Sequence, residues 1–365
     1  MIPPTLHSTE TFENCDTTSA NTKFENSKTT LDKLNRPLHD LRISVIDRCN
    51  LRCNYCMPAE EYHEHYSFLP RSEWLTFDEI ERLCRLFSRL GVLKLRLTGG
   101  EPLLRENLSE LILKLSKISN INDLTLTTNG ILLSKYAQKL RSAGLKRITV
   151  SLDTLDDQIF QSMTGNRAPV DHVFEGIRAA EEAGFDLIKI NAVIQKGIND
   201  HTILDLVRRF KGSGHILRFI EYMDVGNRNN WKPQLVMPSL DIVRIIDNIF
   251  PMSPIEPNYH GEVAERYQFK DGSGEIGFIS SITQPFCGTC TRARLSTNGT
   301  FYTCLFASSG VDLKKPLREG ATDNELLCTI KAVWQGREDR YSEKRFFINP
   351  TEQRSKKIEM YQIGG

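Results

Sequence analysis

The chain has 365 residues, enough for one large fold with a smaller companion, and its 39% hydrophobic and 25% charged residues are ordinary globular composition. Lys+Arg 47 against Asp+Glu 46 gives a net charge of +1, which excludes a protein that holds nucleic acid by bulk charge but leaves room for a local basic pocket. No apolar run approaches the roughly 20 residues of a membrane span, and the N-terminus lacks the charged-then-apolar order of an export signal, so the expectation is a cytoplasmic protein with no membrane and no nucleic-acid partner.

Residues 1–30 are rich in Ser, Thr, Asn, Glu and Lys with little apolar content, and read as a disordered polar extension that contains Cys15. From residue 40 short runs rich in Val, Ile, Leu and Thr alternate with helical periods. The runs are Leu41–Ile46, Leu93–Leu97, Asp123–Thr127, Arg147–Leu152, Leu187–Ile194 and Ile216–Tyr222. Between them, Thr76-Phe-Asp-Glu79 is a capping box ahead of Ile80, Leu83, Phe87 and Leu90, with Gly91 as the stop. Leu108 to Ile118 forms a second stripe, Ser134 opens a helix closed by Gly144, Asp171 one closed by Gly184, and Ile203 to Phe210 a last one.

Six strand–helix units predict an incomplete (β/α)6 TIM-type barrel over residues 31–232, with ligands at the carboxyl ends of its strands. An open doubly wound sheet is the alternative. After Pro233 the rhythm breaks. Residues 233–365 read as an α+β region covering the open side, with helices at Leu240–Phe250 and Glu325–Trp334 and strands at Arg266–Phe269 and Glu275–Ser280. Arg292–Ser296 and Thr300–Cys304 flank the hairpin signal Thr297-Asn298-Gly299.

Nine cysteines, an odd number without an export signal, argue against a disulfide scaffold, and six of them fall in two groups. Cys49, Cys53 and Cys56 are spaced C-x3-C-x2-C on the loop after the first strand. Three soft thiolates there suit a cubane [4Fe–4S] cluster with one iron left open; zinc would want a fourth ligand, for which His63 and His65 are near. Cys287, Cys290 and Cys304 form the second group, again of three, with a zinc ribbon as its structural reading. Arg292 and Arg294, two apart on a strand, share a face. Arg42, Arg96, Lys189 and Arg218 sit in strands that otherwise read as buried, where unpaired cations are costly. Together they predict a polyanion pocket in the barrel, with Thr127 and Asn129 as polar neighbours and a triphosphate as the ligand.

The first cysteine spacing, with Tyr55 directly before the third Cys, resembles the radical S-adenosylmethionine (SAM) superfamily, as does Thr98-Gly-Gly-Glu-Pro102 after the second strand. That resemblance implies SAM bound at the open iron, with Tyr55, Gly100, Glu101, Ser151 and Met223 as SAM-contact positions and Glu101 facing its amino group. The whole pattern resembles more narrowly the GTP 3′,8-cyclases of molybdenum cofactor biosynthesis. This implies two [4Fe–4S] clusters, the second facing guanine, and GTP contacts at Arg42, Arg96, Thr127, Lys189, Arg218 and Arg292-Ala293-Arg294. It also implies that the terminal Gly364-Gly365 reaches into the active site.

The expected product is (8S)-3′,8-cyclo-7,8-dihydroguanosine 5′-triphosphate, the electron donor a flavodoxin or ferredoxin system, the next enzyme cyclic pyranopterin monophosphate synthase, and the state a monomer or homodimer. One departure is Ile46, where the family commonly has Thr, and altered packing rather than lost activity is expected from it. The alternatives are a radical SAM peptide-modifying enzyme with an auxiliary cluster, an iron–sulfur electron carrier, and a zinc-bearing nucleic-acid module.

Overall fold

In the computed structural model of the chain, residues 29–347 and 357–364 are described. The polar extension up to residue 28, Cys15 and Gly365 therefore lie outside the described residues. Six parallel strands follow one another: β1 (Asp40–Ser44), β2 (Lys94–Thr98), β3 (Asp123–Thr128), β4 (Arg147–Ser151), β5 (Ile188–Ile194) and β6 (Ile216–Glu221). Each lies within two residues of its sequence-predicted bounds. Helices α1 (Phe77–Arg89), α2 (Leu108–Leu115), α3 (Leu133–Ser142), α4 (Asp157–Thr164), α5 (Asp171–Glu182) and α6 (Ile203–Phe210) return the chain between them.

The Thr76 hydroxyl accepts from the Glu79 amide while Glu79 accepts from the Thr76 amide, so both ends of the predicted capping box close; such a cap contributes about 1 kcal/mol. Helix α3 begins at Leu133, without a side-chain cap, one residue before the predicted Ser134. Helix α4 escaped the sequence reading because it is short, although its punctuation is present: Asp156 caps the Ile159 amide and Gly165 ends it at φ +77°.

The barrel stays open, and the C-terminal region covers it by lengthening the sheet. Helix α7 (Ser239–Asp247) leads to β7 (Met252–Ile255), β8 (Glu265–Phe269) and β9 (Glu275–Ile279). Strand β9 pairs parallel with β6, and β8 and β7 follow antiparallel. At the opposite edge β10 (Arg292–Leu295) pairs parallel with β1, followed by β11 (Thr300–Tyr302) and β12 (Val311–Asp312). The result, among the described residues, is one sheet of twelve strands. Helix α8 (Asp323–Gln335) packs on α1 and buries Trp334.

Alternation along each strand divides the interior. Leu41, Ile43, Leu95, Leu97, Ile148, Val150, Ile190 and Ala192 face the helices and are buried. Their neighbours Arg42, Arg96, Lys189 and Arg218 point the other way and border a cavity. No described helix is long and apolar enough to cross a membrane.

Candidate active site

One cavity inside the sheet gathers nearly all the residues singled out in the sequence. It is lined by both cysteine groups, by Arg42, Arg96, Lys189, Arg218, Arg292 and Arg294, and by Tyr55, Gly100, Glu101, Thr127, Ser151 and Met223. Its cavity volume of about 330 Å³ falls within the about 300–1000 Å³ of small-molecule pockets.

The first cysteine loop leaves the carboxyl end of β1 and is braced from three sides. The Arg52 and Asn54 amides donate to Thr164 and Met163 carbonyls in α4, at 2.9 and 3.0 Å. The Arg52 guanidinium donates to the carbonyls of Tyr62, Cys49 and Leu51. From the third side, the Gly100 and Glu101 amides donate to Ile46 and Arg48 carbonyls, each at 2.8 Å. A Cβ at Gly100 would stand 2.2 Å from the Arg48 carbonyl oxygen, so this glycine brings β2's exit against the cysteine loop itself. Ile46 packs into the core under Gly99, as its apolar side chain requires.

Next to the loop lie two buried carboxyl groups. Glu101 accepts from the Leu103 and Asn129 amides and the Thr128 hydroxyl, at 3.0, 2.8 and 2.7 Å, and burial pushes it up to about 7. Asp153 accepts from Tyr55 Oη at 2.7 Å and from the Val193 amide at 2.9 Å, and burial holds it at about 6. No described Lys, Arg or His pairs with either carboxylate. A cationic ligand such as an ammonium, placed beside Glu101, supplies the charge that burial withholds.

The cations fall into two rows. In the lower row Arg292, Asp40, Lys94 and Asp123 are register neighbours, so the signs alternate. Lys94 lies 3.4 Å from Asp40 and 3.8 Å from Asp123, and Arg147 Nε donates to Asp123. One step up, Arg294, Arg42 and Arg96 stand side by side on three adjacent strands with no acid between them. Arg96 donates to the hydroxyls of Thr127 and Thr149, at 2.8 and 3.2 Å, and Arg218 to Asn191 Oδ1 at 3.0 Å. Burial lowers the affinity of Arg42 and Arg294 for their protons; the charges of Arg294 and Arg96 add to this at Arg42, and that of Arg292 at Arg294, which comes down to about 10. Among the described residues no ion pair holds Arg42, Arg96, Arg218 or Arg294. An uncompensated row of this kind is a site for a multiply charged anion.

The second cysteine loop borders the same cavity. Arg292 Nη2 donates to Cys290 Sγ at 3.1 Å and its guanidinium lies over Phe286. Burial alone would raise the Cys290 thiol, but Arg292 and Arg337 outweigh it and bring the group down to about 7. Among the described side chains no three converge as ligands of a single metal ion. A cubane takes one thiolate per iron and so suits a wider spread.

The tail enters here too. The Arg294 guanidinium donates to the carbonyls of Gly364 and Ile363, and Ser44 Oγ to that of Tyr361. Tyr361 meets Tyr62 and Phe68 edge to face behind the first cysteine loop.

Sequence reasoning missed several lining residues. Arg36, Lys94, Tyr259, Glu262 and Arg337 come from segments whose local pattern carries no ligand signal.

Comparison with known proteins bears on this geometry. The family model for the radical SAM superfamily matches residues 43–210, and that for Molybdenum Cofactor Synthesis C matches residues 215–343. A GTP 3′,8-cyclase of Xanthomonas campestris pv. campestris (strain B100) is 52% identical over 334 residues, covering 92% of this chain and 97% of its own length. The chain belongs to the GTP 3′,8-cyclase family. A second GTP 3′,8-cyclase, from Staphylococcus epidermidis, is 48% identical over 335 residues, 92% of this chain and 98% of the relative. Among solved structures, Streptococcus suis SuiB bound to S-adenosylmethionine superposes with a TM-score of 0.56 at 19% identity, over 82% of this chain and 69% of that one, which shows the shared fold.

Proposed function

We propose that the cavity binds GTP and SAM together and converts GTP to (8S)-3′,8-cyclo-7,8-dihydroguanosine 5′-triphosphate, the first step of molybdenum cofactor biosynthesis. The observation that carries this reading is the uncompensated row Arg294–Arg42–Arg96, in one cavity with two three-cysteine loops. Cys49, Cys53 and Cys56 hold one [4Fe–4S] cluster, and Cys287, Cys290 and Cys304 a second. A cluster held by Cys49, Cys53 and Cys56, together with SAM and one electron from the reductant, would supply hydrogen-atom abstraction chemistry at the ribose of GTP.

The protein's own part is placement. Glu101 takes the SAM ammonium, Tyr55 is held by Asp153 beside the third thiol, and Ser151 and Met223 complete that end. The guanidiniums and Lys189 fix the triphosphate, so the ribose is oriented before any bond breaks. Arg294 also holds the Gly364 carbonyl, which stations the tail at the substrate. A flavodoxin or ferredoxin system is the reductant, and cyclic pyranopterin monophosphate synthase takes the product onward.

The test is GTP affinity of Arg42→Ala by anaerobic calorimetry. An ionic hydrogen bond contributes about 1.5–3 kcal/mol, so a weakening of about ten- to a hundredfold is expected with iron content unchanged. Equal affinity would refute the phosphate row.

A pH dependence follows from Lys189. Burial and then the Arg218 guanidinium bring its amine down to about 7, with Arg147 and Lys94 adding to the repulsion and Glu262 opposing it. The free protein thus carries a largely neutral Lys189 at pH 8. Bound phosphates favour the charged form, so GTP binding takes up a proton there and affinity falls from pH 8 to 9. Calorimetry in buffers of different ionisation enthalpy reads this directly, and the uptake should vanish in Lys189→Met.

A further inference from the structure

Behind the second cysteine loop, away from the phosphate row, lies a buried charged trio that the proposed reaction does not use. Asp32 Oδ2 lies 2.6 Å from Arg36 Nε and 3.4 Å from Arg337 Nη1, with all three side chains at most 1% exposed. Asp32 Oδ1 accepts from the Leu34 and Arg36 amides, which completes its shell. The two guanidiniums then turn to the cysteine loop. Arg337 Nη1 donates to the Cys290 carbonyl at 2.7 Å and Nη2 to Cys290 Sγ at 3.2 Å. Arg36 Nη1 donates to the carbonyls of Cys287 and Asp339, each at 2.7 Å. The Trp334 ring stacks on the Arg337 guanidinium at 4.5 Å, and its indole N–H donates to the Arg36 carbonyl. Arg36 and Arg337 both border the cavity, and Arg36 Nη2 is buried without a described hydrogen-bond partner.

Arg337 Nε also lies 3.4 Å from Oδ2 of the part-exposed Asp339, so the two guanidiniums face two carboxylates, and what they bring to the second cysteine group is N–H donors aimed at Cys290 and at the Cys287 carbonyl. A cluster gains one negative charge on reduction, and N–H donors and cations at its thiolates favour that form.

We propose that Arg337, paired with Arg36 across Asp32, is a positioning residue that holds the Cys290 thiolate and raises the reduction potential of the second cluster. This rests on the second-cluster reading of Cys287, Cys290 and Cys304. Arg292 also reaches Cys290 Sγ, but it faces the substrate, so its replacement would mix two effects. Arg337 separates them.

The experiment is an anaerobic potentiometric titration, followed by electron paramagnetic resonance, of full-length protein in which Cys49, Cys53 and Cys56 are replaced by Ala. Only a cluster at the second site then contributes. Arg337→Gln should shift its oxidised-to-reduced ratio at fixed potential about tenfold toward oxidised, about 59 mV for a one-electron couple. Arg337→Lys should recover part of the shift, because it restores the charge without the paired donors. Asp32→Asn, which removes the fully buried one of the two anions beside Arg337, should move the potential the opposite way, and it decides the matter if Arg337→Gln does not fold. An iron-free protein in the Cys49, Cys53 and Cys56 background would overturn the second-cluster reading and this proposal with it. A cluster present at full iron content, with its potential unmoved by these replacements, would overturn the tuning alone.

Discussion

Gly100→Ala should cost about a hundredfold in SAM cleavage, while GTP affinity stays within about twofold of the parent. The new Cβ would stand 2.2 Å from the Arg48 carbonyl oxygen and 3.1 Å from the Cys49 amide nitrogen. Neither neighbour is the free end of a flexible side chain, so the backbone of the cysteine loop itself must move. That displaces Cys49 and breaks the Glu101 amide's bond to Arg48, which sets the height of the Glu101 carboxylate. The phosphate row lies deeper in the barrel and does not share these contacts. The measurement is 5′-deoxyadenosine formed per minute under anaerobic reduction, beside GTP calorimetry on the same preparation. Undiminished cleavage would show that the loop tolerates the shift and that Gly100 is not its spacer.

Gly364→Ala should impair cyclisation about as severely, but by another route. A Cβ there would lie 2.0 Å from Thr98 Cγ2, and the backbone sits at φ +71°, a conformation costing a side-chain-bearing residue about 1–3 kcal/mol. The tail must withdraw, releasing Arg294 from the Gly364 carbonyl. Both cysteine loops keep their supports, so iron content and melting temperature should hold while cyclic product per SAM cleaved collapses. Thr98→Ser removes the offending methyl and should return part of the activity to the double variant. Equal product per SAM cleaved in Gly364→Ala and parent would mean that the tail has no part in catalysis.

The barrel was legible because its signals are local. Runs of Val, Ile, Leu and Thr of strand length, Gly stops and a capping box state their elements within a few residues. The active-site cations were legible for a related reason: a guanidinium in an otherwise apolar strand, as at Arg42 or Arg218, contradicts its surroundings and asks for a ligand. What escaped depends on contacts distant in sequence. Nothing near Arg292 records that β10 pairs with β1, or near Glu275 that β9 pairs with β6, so the C-terminal region read as a lid when it is also the sheet's two edges. Lys94 was hidden for the opposite reason, since Asp40 and Asp123 neutralise it and its pattern looks like an ordinary strand start. Arg36 and Arg337 are 301 positions apart, and only the folded chain brings both to Asp32.

The same edge pairing governs how the molecule comes into being. Strands β1 and β6 are the free borders of the six-stranded barrel, and each is capped by a strand made later, β10 and β9. On the ribosome, at roughly 5–20 residues per second, the barrel portion emerges several seconds before either partner exists. During that interval two rows of unpaired N–H and C=O groups stand open, which is the condition for strand-to-strand misassociation. The long-range pairing of β1 with β10 also makes closure entropically slow. A chain cut after residue 232 keeps every residue proposed to hold SAM, yet it loses both protecting strands. Sequence identity with the radical SAM module is therefore no guide to a fragment that stays dispersed, and the folding unit runs from β1 to at least β12.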